Sequence, residues 1–219
     1  MATPLAMPRK IIPNSTELPY HITARCLNKD NFPIPISQVW NIMEDYLFFI
    51  SNAYKIDVLS FVLMSNHFHL IARSPDGNLS EAMNYFMGET SRQISNASGR
   101  INQLYGGRFH KSLIDSNFYL HHVYKYVYRN PIEACISIRA EEYEFSTLHR
   151  KLGKGKLNFP ISPDSFLQSD IDKVLRWVNE TPASGEEDLI RTALKKKVFK
   201  VSGKNQKTGR TNALSSLEI

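Results

Sequence analysis

Tyr20–Cys26 alternates polar and apolar side chains with β-branched residues among them, a period of two that predicts a half-buried strand. Pro33 and Pro35 then interrupt the chain, and Ser37 suits the N-cap of a helix over Gln38–Tyr54. There Val39, Ile42, Met43, Tyr46, Leu47 and Ile50 recur at helical spacing, so one face of that helix points to a core. Ile56–Arg73 is rich in Val, Ile, Leu and Phe, and the turn pair Ser65-Asn66 predicts two strands in a hairpin-like pair, the second starting near His67. Pro75-Asp76-Gly77-Asn78 is a turn, after which Ala82, Tyr85, Phe86 and Glu89 mark a second helix over Leu79–Ser98, ended by Gly99. Gly106-Gly107 breaks the chain again. A short strand is predicted over Arg108–Ile114, followed by a third helix over Phe118–Arg129 with the stripe Leu120, Val123, Tyr124 and Val127. Asn130-Pro131 is expected to stop it, because the residue before a proline is pushed out of helical backbone.

The resulting order, β-α-β-β-α-β-α, belongs to the α+β class. Its βαββαβ part is the ferredoxin-like plan, an antiparallel sheet with helices packed on one face. Residues 138–201 read as a C-terminal, partly helical extension, in which a lysine-bearing loop over Gly153–Pro163 precedes helices at Ser169–Asn179 and Glu186–Lys197. The expected organisation is a lead over 1–18, a core domain over 19–137, that extension, and a disordered basic tail over 202–219.

Composition narrows the classes. Of 219 residues, 42% are hydrophobic and 22% charged, which excludes a wholly disordered chain. No apolar run approaches the roughly 18 residues a membrane span requires. The first positive charges follow the apolar residues of the N-terminus, the reverse of a secretory signal, so the cell interior is the expected location, with no membrane partner. Cys26 and Cys135 lie far apart and outside any Cys-x-x-Cys pattern, so both are expected to be small buried residues rather than zinc ligands or a disulfide. The net charge is +6, and Arg191, Lys195, Lys196, Lys197, Lys200, Lys204, Lys207 and Arg210 have no acid among them. Such a run suits a polyanionic partner, and it equally suits a solvated tail.

His67-Phe68-His69 is the sharpest local feature. On a strand both imidazoles share one face and can reach one metal ion, while Phe68 turns to the other face and anchors the strand; two surface histidines without a ligand give the same pattern. On the third helix, Tyr126 is a candidate nucleophile, and Asn130, one turn later, offers an amide oxygen to a hard divalent cation. A packing aromatic is the alternative for Tyr126. Mixed imidazole and amide ligation suits Mn²⁺ slightly better than Mg²⁺. His122, one turn before Tyr126, can assist proton transfer or shape a pocket, or it is structural. Arg25 and Arg108, on predicted strands, can contact phosphate or base, or form surface salt bridges.

Four segments in this order carry a resemblance to a known family. They are Tyr20-His21-Ile22-Thr23-Ala24-Arg25, then Val62-Leu63-Met64-Ser65-Asn66-His67-Phe68-His69-Leu70, then Arg108-Phe109, then Tyr126-Val127-Tyr128-Arg129-Asn130-Pro131-Ile132-Glu133-Ala134. Together they resemble the single-tyrosine HUH transposases, in particular the REP-associated tyrosine transposases, and Leu189–Lys197 is similar to the basic helix that often closes these proteins. The chain departs from the pattern at Ser65, where a proline is commonest, at Tyr105-Gly106-Gly107, which lacks a tryptophan before Arg108, and at Glu133, in place of a frequent arginine. The resemblance implies a ferredoxin-like or RRM-like catalytic domain that acts as a metal-dependent single-stranded DNA endonuclease and strand transferase. By the same resemblance it works through a 5′-phosphotyrosine on hairpin or repeat DNA. Tyr126 is then the nucleophile, with His67, His69 and Asn130 as ligands of Mg²⁺ or Mn²⁺ and Arg25, Arg108, Lys195, Lys196 and Lys197 as DNA contacts. The implied setting is a nucleoid-associated, cytoplasmic bacterial protein, monomer or homodimer. Rival readings are a related HUH replication or relaxase-type nuclease and a non-catalytic RRM-like nucleic-acid-binding protein.

Overall fold

The computed structural model describes residues 14–163, 166 and 170–201. Strands β1 (Tyr20–Arg25), β2 (Asp57–Leu63), β3 (His67–Arg73) and β4 (His110–Leu113) form one sheet in the order β2-β3-β1-β4. Each neighbouring pair is antiparallel. Helix α1 (Ile36–Ala53) joins β1 to β2, and α2 (Leu79–Ser98) joins β3 to β4, which is the expected βαββαβ order. The tail over 202–219 and most of the lead lie outside the described residues.

Strand alternation sorts the side chains. Tyr20, Ile22, Ala24, Phe68, Leu70 and Ala72 face α1 and α2, where they are buried against Val39, Trp40, Met43, Leu47, Ile50, Ala82, Met83, Phe86 and Ile94. A shift of register between Val58 and Ser60 changes the parity of β2, so Phe61 and Leu63 join this core while Leu59 and Val62 join the other. Helices α1 and α2 thus cover one face as expected. The third helix, α3 (Asn117–Glu133), crosses the opposite face together with the extension, packing Leu120, Val123, Tyr124 and Val127 over Leu59, Val62 and Ile71.

Several boundaries move, each for a local reason. Helix α1 starts one residue before Ser37, on the carbonyl of Pro35, which accepts from the N–H groups of Gln38 and Val39 at 2.9 and 3.1 Å. Strand β4 is shorter than predicted, and Arg108 sits in the loop before it rather than on a strand. Helix α3 runs through Pro131 instead of stopping at it. Proline lacks the N–H that would reach the Val127 carbonyl, and the Asn130 amide nitrogen donates there at 3.4 Å and to the Tyr126 carbonyl at 2.8 Å, so the missing backbone bond is partly replaced. Cys26 is buried as expected, but Cys135 is exposed, just past the end of α3 at a φ of 55°.

The extension carries α4 (Ile171–Asn179) and α5 (Glu186–Leu194), both shorter than predicted. It is fastened to both edges of the sheet. On β2, Leu63 donates to the Phe145 carbonyl at 3.0 Å and the Tyr143 hydroxyl donates to the Leu63 carbonyl at 2.6 Å. On β4, Leu113 donates to the Lys197 carbonyl at 2.9 Å and accepts from Phe199 at 2.7 Å. Both edges therefore find backbone partners within the chain. Among the described residues no helix is long and apolar enough to cross a membrane.

Replacing Tyr143 by Phe deletes one buried hydrogen bond and is expected to cost about 1–3 kcal/mol in a denaturant titration near neutral pH. Burial pushes the Tyr143 hydroxyl up to about 12, whereas an unfolded chain releases that proton near 10. This stabilising term is full below about 10 and declines as pH rises toward 12, so the gap between wild type and Tyr143→Phe should narrow across that window.

Candidate active site

The β1–β3 register sets Thr23 opposite His69 and Arg25 opposite His67, and the β1–β4 register sets Thr23 opposite His110. Through the same alternation that buries Phe68, the side chains of His21, Arg25, His67, His69 and His110 share the other face of the sheet. Helix α3 carries Tyr126 and Asn130, one turn apart, onto this face. The Tyr126 ring stands edge-on to His69 with centroids 5.8 Å apart and to His21 at 6.5 Å, and the rings of His67 and His69 lie 4.9 Å apart. These groups open on a cleft of about 1010 Å³ that also takes in Arg25, Arg108, Arg191 and Lys195.

Burial and neighbouring cations keep the imidazoles neutral. His67 is lowered to about 4 by burial and then by the Arg25 charge, and His21 to about 3 by burial, His110 and His67. His69 is lowered well below the usual range by burial and then by His21, His67 and Arg25. Burial holds the Tyr126 phenol above its usual range, and the nearby Arg191 guanidinium acts in the opposite direction without outweighing burial. Arg191 also pairs with Asp188 at 3.1 Å and Glu187 at 3.4 Å. Helix α5 is held over the site where His110 Nε2 donates to the Leu194 carbonyl at 2.7 Å.

The donor set fits a divalent cation. Among the described residues, buried His69 Nε2 has no hydrogen-bond partner. Asn130 turns its amide nitrogen back onto its own helix, which leaves the amide oxygen for other partners, and this amide acts on the His69 ring. The amide oxygen suits Mn²⁺ or Mg²⁺, and the two neutral imidazoles, as softer donors, favour Mn²⁺ of the two. Among the described residues no group of three or more His, Cys, Asp or Glu is arranged to hold a metal.

Of the residues singled out from sequence, His67, His69, Tyr126, Asn130, Arg25, Arg108 and Lys195 line the one cleft. Lys196 and Lys197 do not: the Lys196 ammonium donates to the Lys200 carbonyl at 3.0 Å, and Lys197 supplies the backbone carbonyl that meets β4. His122 is fully buried away from the cleft, with Nδ1 3.3 Å from Glu186 Oε1 and its ring against Phe118 and Trp177. The structure thus places it in the packing of α3 against the extension rather than in the cleft. His21 and His110 also line the cleft without having been singled out as site residues, and Arg191, expected only as part of the basic run, joins them there. His21 shares strand parity with Arg25, a usable signal once β1 is known to lie beside β3; Arg191 stands in a basic run with no local mark of its own.

The fold and the cleft define an α+β protein in which a ferredoxin-like sheet presents paired histidines to a helical tyrosine. The sequence model of the IS200-like transposases matches residues 14–130, more than half of the chain, and the chain belongs to that family. Its role is accordingly that of a transposase, a protein that cleaves and joins DNA. A solved structure of a REP-associated tyrosine transposase bound to a REP hairpin is 17% identical, with a TM-score of 0.55 over 73% of this chain and 96% of that one, a likeness of fold. A candidate transposase from Deinococcus radiodurans is 14% identical over 56% of this chain and 95% of its own, with a TM-score of 0.38. No curated protein matches. Arg191 and the rest of the extension lie beyond the family match.

Because Arg191 lowers the Tyr126 phenol, Arg191→Met should raise its pKa, read by ultraviolet difference titration against Tyr126→Phe. An unchanged value would take Arg191 out of the site.

Proposed function

We propose that the protein is a metal-dependent single-stranded DNA endonuclease and strand transferase that works through a 5′-phosphotyrosine at Tyr126. The observation that carries this reading is the convergence of Tyr126, His67, His69 and Asn130, from one helix and one strand, on a single cleft rimmed by Arg25, Arg108, Arg191 and Lys195.

In this reading the Tyr126 oxygen attacks the scissile phosphorus, the phosphotyrosyl bond forms, and the bond to the 3′-oxygen breaks. The phenol must lose its proton, and Arg191 favours the phenolate. A phenolate is also a competent leaving group, so a free 3′-OH can reverse the step and rejoin strands without an external energy source. His67, His69 and Asn130 would hold a divalent cation, which when bound would supply Lewis acidity toward the scissile phosphate. Arg25, Arg108 and Lys195 hold the DNA backbone. Hairpin or repeat DNA is the proposed substrate, by analogy with the REP hairpin bound to the fold relative.

Tyr126→Phe should abolish cleavage of a hairpin-containing oligonucleotide in Mn²⁺ and leave binding nearly unchanged. With each end labelled separately, only the 3′-end label should migrate with wild-type protein on a denaturing gel. Cleavage without an adduct, or an adduct carrying the 5′-end label, would favour a hydrolase that activates water.

Each phosphate neutralised by a cation adds about 0.7 to the salt slope of single-strand binding. Arg108→Gln and Lys195→Gln should therefore each flatten the plot of log affinity against log salt by about that amount, while Lys197→Gln changes it less. Point substitutions isolate this effect, since cutting the chain before α5 would also remove the buried Ile190, Ala193, Leu194 and Phe199.

A further inference from the structure

Each histidine of the pair has its Nδ1 held by another side chain, and the two arrangements converge on one result. Asn66 Nδ2 lies 2.8 Å from the Lys29 carbonyl, which can only accept, so the other end of the amide, Oδ1, faces His67 Nδ1 at 2.7 Å. An amide oxygen cannot donate. His67 Nδ1 therefore carries the hydrogen, and Nε2 of the neutral ring keeps the lone pair. The Lys29 carbonyl comes from a short turn in which Asn28 and Lys29 both have positive φ, and Asn66 Nδ2 reaches it there.

His69 is held in the same way by a different group. Its Nδ1 lies 2.8 Å from His21 Nε2, with the rings stacked at 28° and both side chains buried. Among the described residues the remaining nitrogens, His69 Nε2 and His21 Nδ1, make no hydrogen bond, although the Asn130 amide acts on the His69 ring. A cation on His69 Nε2 requires hydrogen on Nδ1, and His21 Nε2 is positioned to accept it. Ligand imidazoles are commonly fixed in this manner by an acceptor on the second nitrogen.

We propose that Asn66 and His21 are positioning residues that accept the Nδ1–H of His67 and His69 and so direct both Nε2 lone pairs toward one divalent cation. This rests on the metal-site reading above, and it assigns work to the Asn66 and His21 positions that neither performs by touching the cation. The strand pairing supports the His21 part of it, because His21, opposite Ile71, lies diagonally across from His69, opposite Thr23, on the same face of two directly paired strands.

The test uses the full chain and reads metal affinity and imidazole protonation, apart from DNA cleavage. Long-range proton–nitrogen correlation spectra should show His67 as the Nδ1–H form in the metal-free protein, and both His67 and His69 in that form with Mg²⁺ bound. Mn²⁺ affinity, followed by electron paramagnetic resonance, should fall about 10- to 100-fold in His21→Phe and in Asn66→Ala. His21→Gln and Asn66→Asp, which keep an acceptor oxygen, should recover most of it. Should His21→Phe fail to fold, the wild-type spectra and the Gln variant still decide the matter: an Nε2–H form of His67, or of His69 with Mg²⁺ bound, overturns the proposal. If the His67→Ala chain loses Mn²⁺ binding while His21→Phe and Asn66→Ala bind as the wild type does, the positioning role fails and the metal site stands. If the wild type binds no Mn²⁺, both fail.

Discussion

The site depends on the pairing of β1 with β3. That register buries Ile22, Ala24, Phe68 and Leu70 on one side of the sheet and, by the same alternation, lines up His21, Arg25, His67 and His69 on the other. Because the period of a strand is two, a slip of one residue would drive both imidazoles into the α1–α2 core and turn Phe68 outward. The apolar face thus secures the polar one: a register that misplaced the histidines would also forfeit the burial of several large side chains, each worth about 1.5–3 kcal/mol.

The tyrosine reaches this face through a second set of contacts that belongs to the extension. The Arg129 guanidinium, buried on α3, donates to the carbonyls of Val178, Asn179 and Glu180 at 3.0–3.2 Å and to Glu133 at 2.7 Å. It therefore caps the C-terminal end of α4 while anchoring the helix that carries Tyr126. Lys125 lies over the Trp177 ring at 4.6 Å, and His122 meets Glu186, so α3 is bound to the extension by buried charge as well as by apolar packing. Residues beyond the family match hold the helix of the candidate nucleophile in position and also bring Arg191 to it.

Electrostatically, the cleft is built for anions. Glu133 is the one acid among its lining residues, and it is engaged by Arg129, while Arg25, Arg108, Arg191 and Lys195 open onto it. His67 and His69 stay neutral there because burial, and then the Arg25 charge among their neighbours, disfavours a further positive charge. Under the proposed reading the protein ligands add no negative charge of their own, so an anionic phosphate would contribute much of the attraction for a divalent cation. Metal and DNA affinities are then coupled through charge as well as through geometry.

Much of this was legible in the sequence, and the rest was hidden for definable reasons. The order of strands and helices, the turn before His67 and the end of α2 at Gly99 follow from local periodicity and turn chemistry, which act over a few residues. His67 and His69 share a face by strand geometry, and Tyr126 and Asn130 share one by helical geometry, before any packing is known. The continuation of α3 through Pro131 was not legible, because the Asn130 side chain serves both its own helix and the cleft. The same limit applied to His122, which one-turn spacing aligned with Tyr126 and which the apposition of Trp177 and Glu186 buried. Cys135 was misjudged because its exposure depends on where α3 ends. Only the tertiary structure could bring His21 against His69 and Arg191 to Tyr126. Those contacts join residues 48 and 65 positions apart in the chain, and long-range burial, rather than any local preference, decides which distant segments meet.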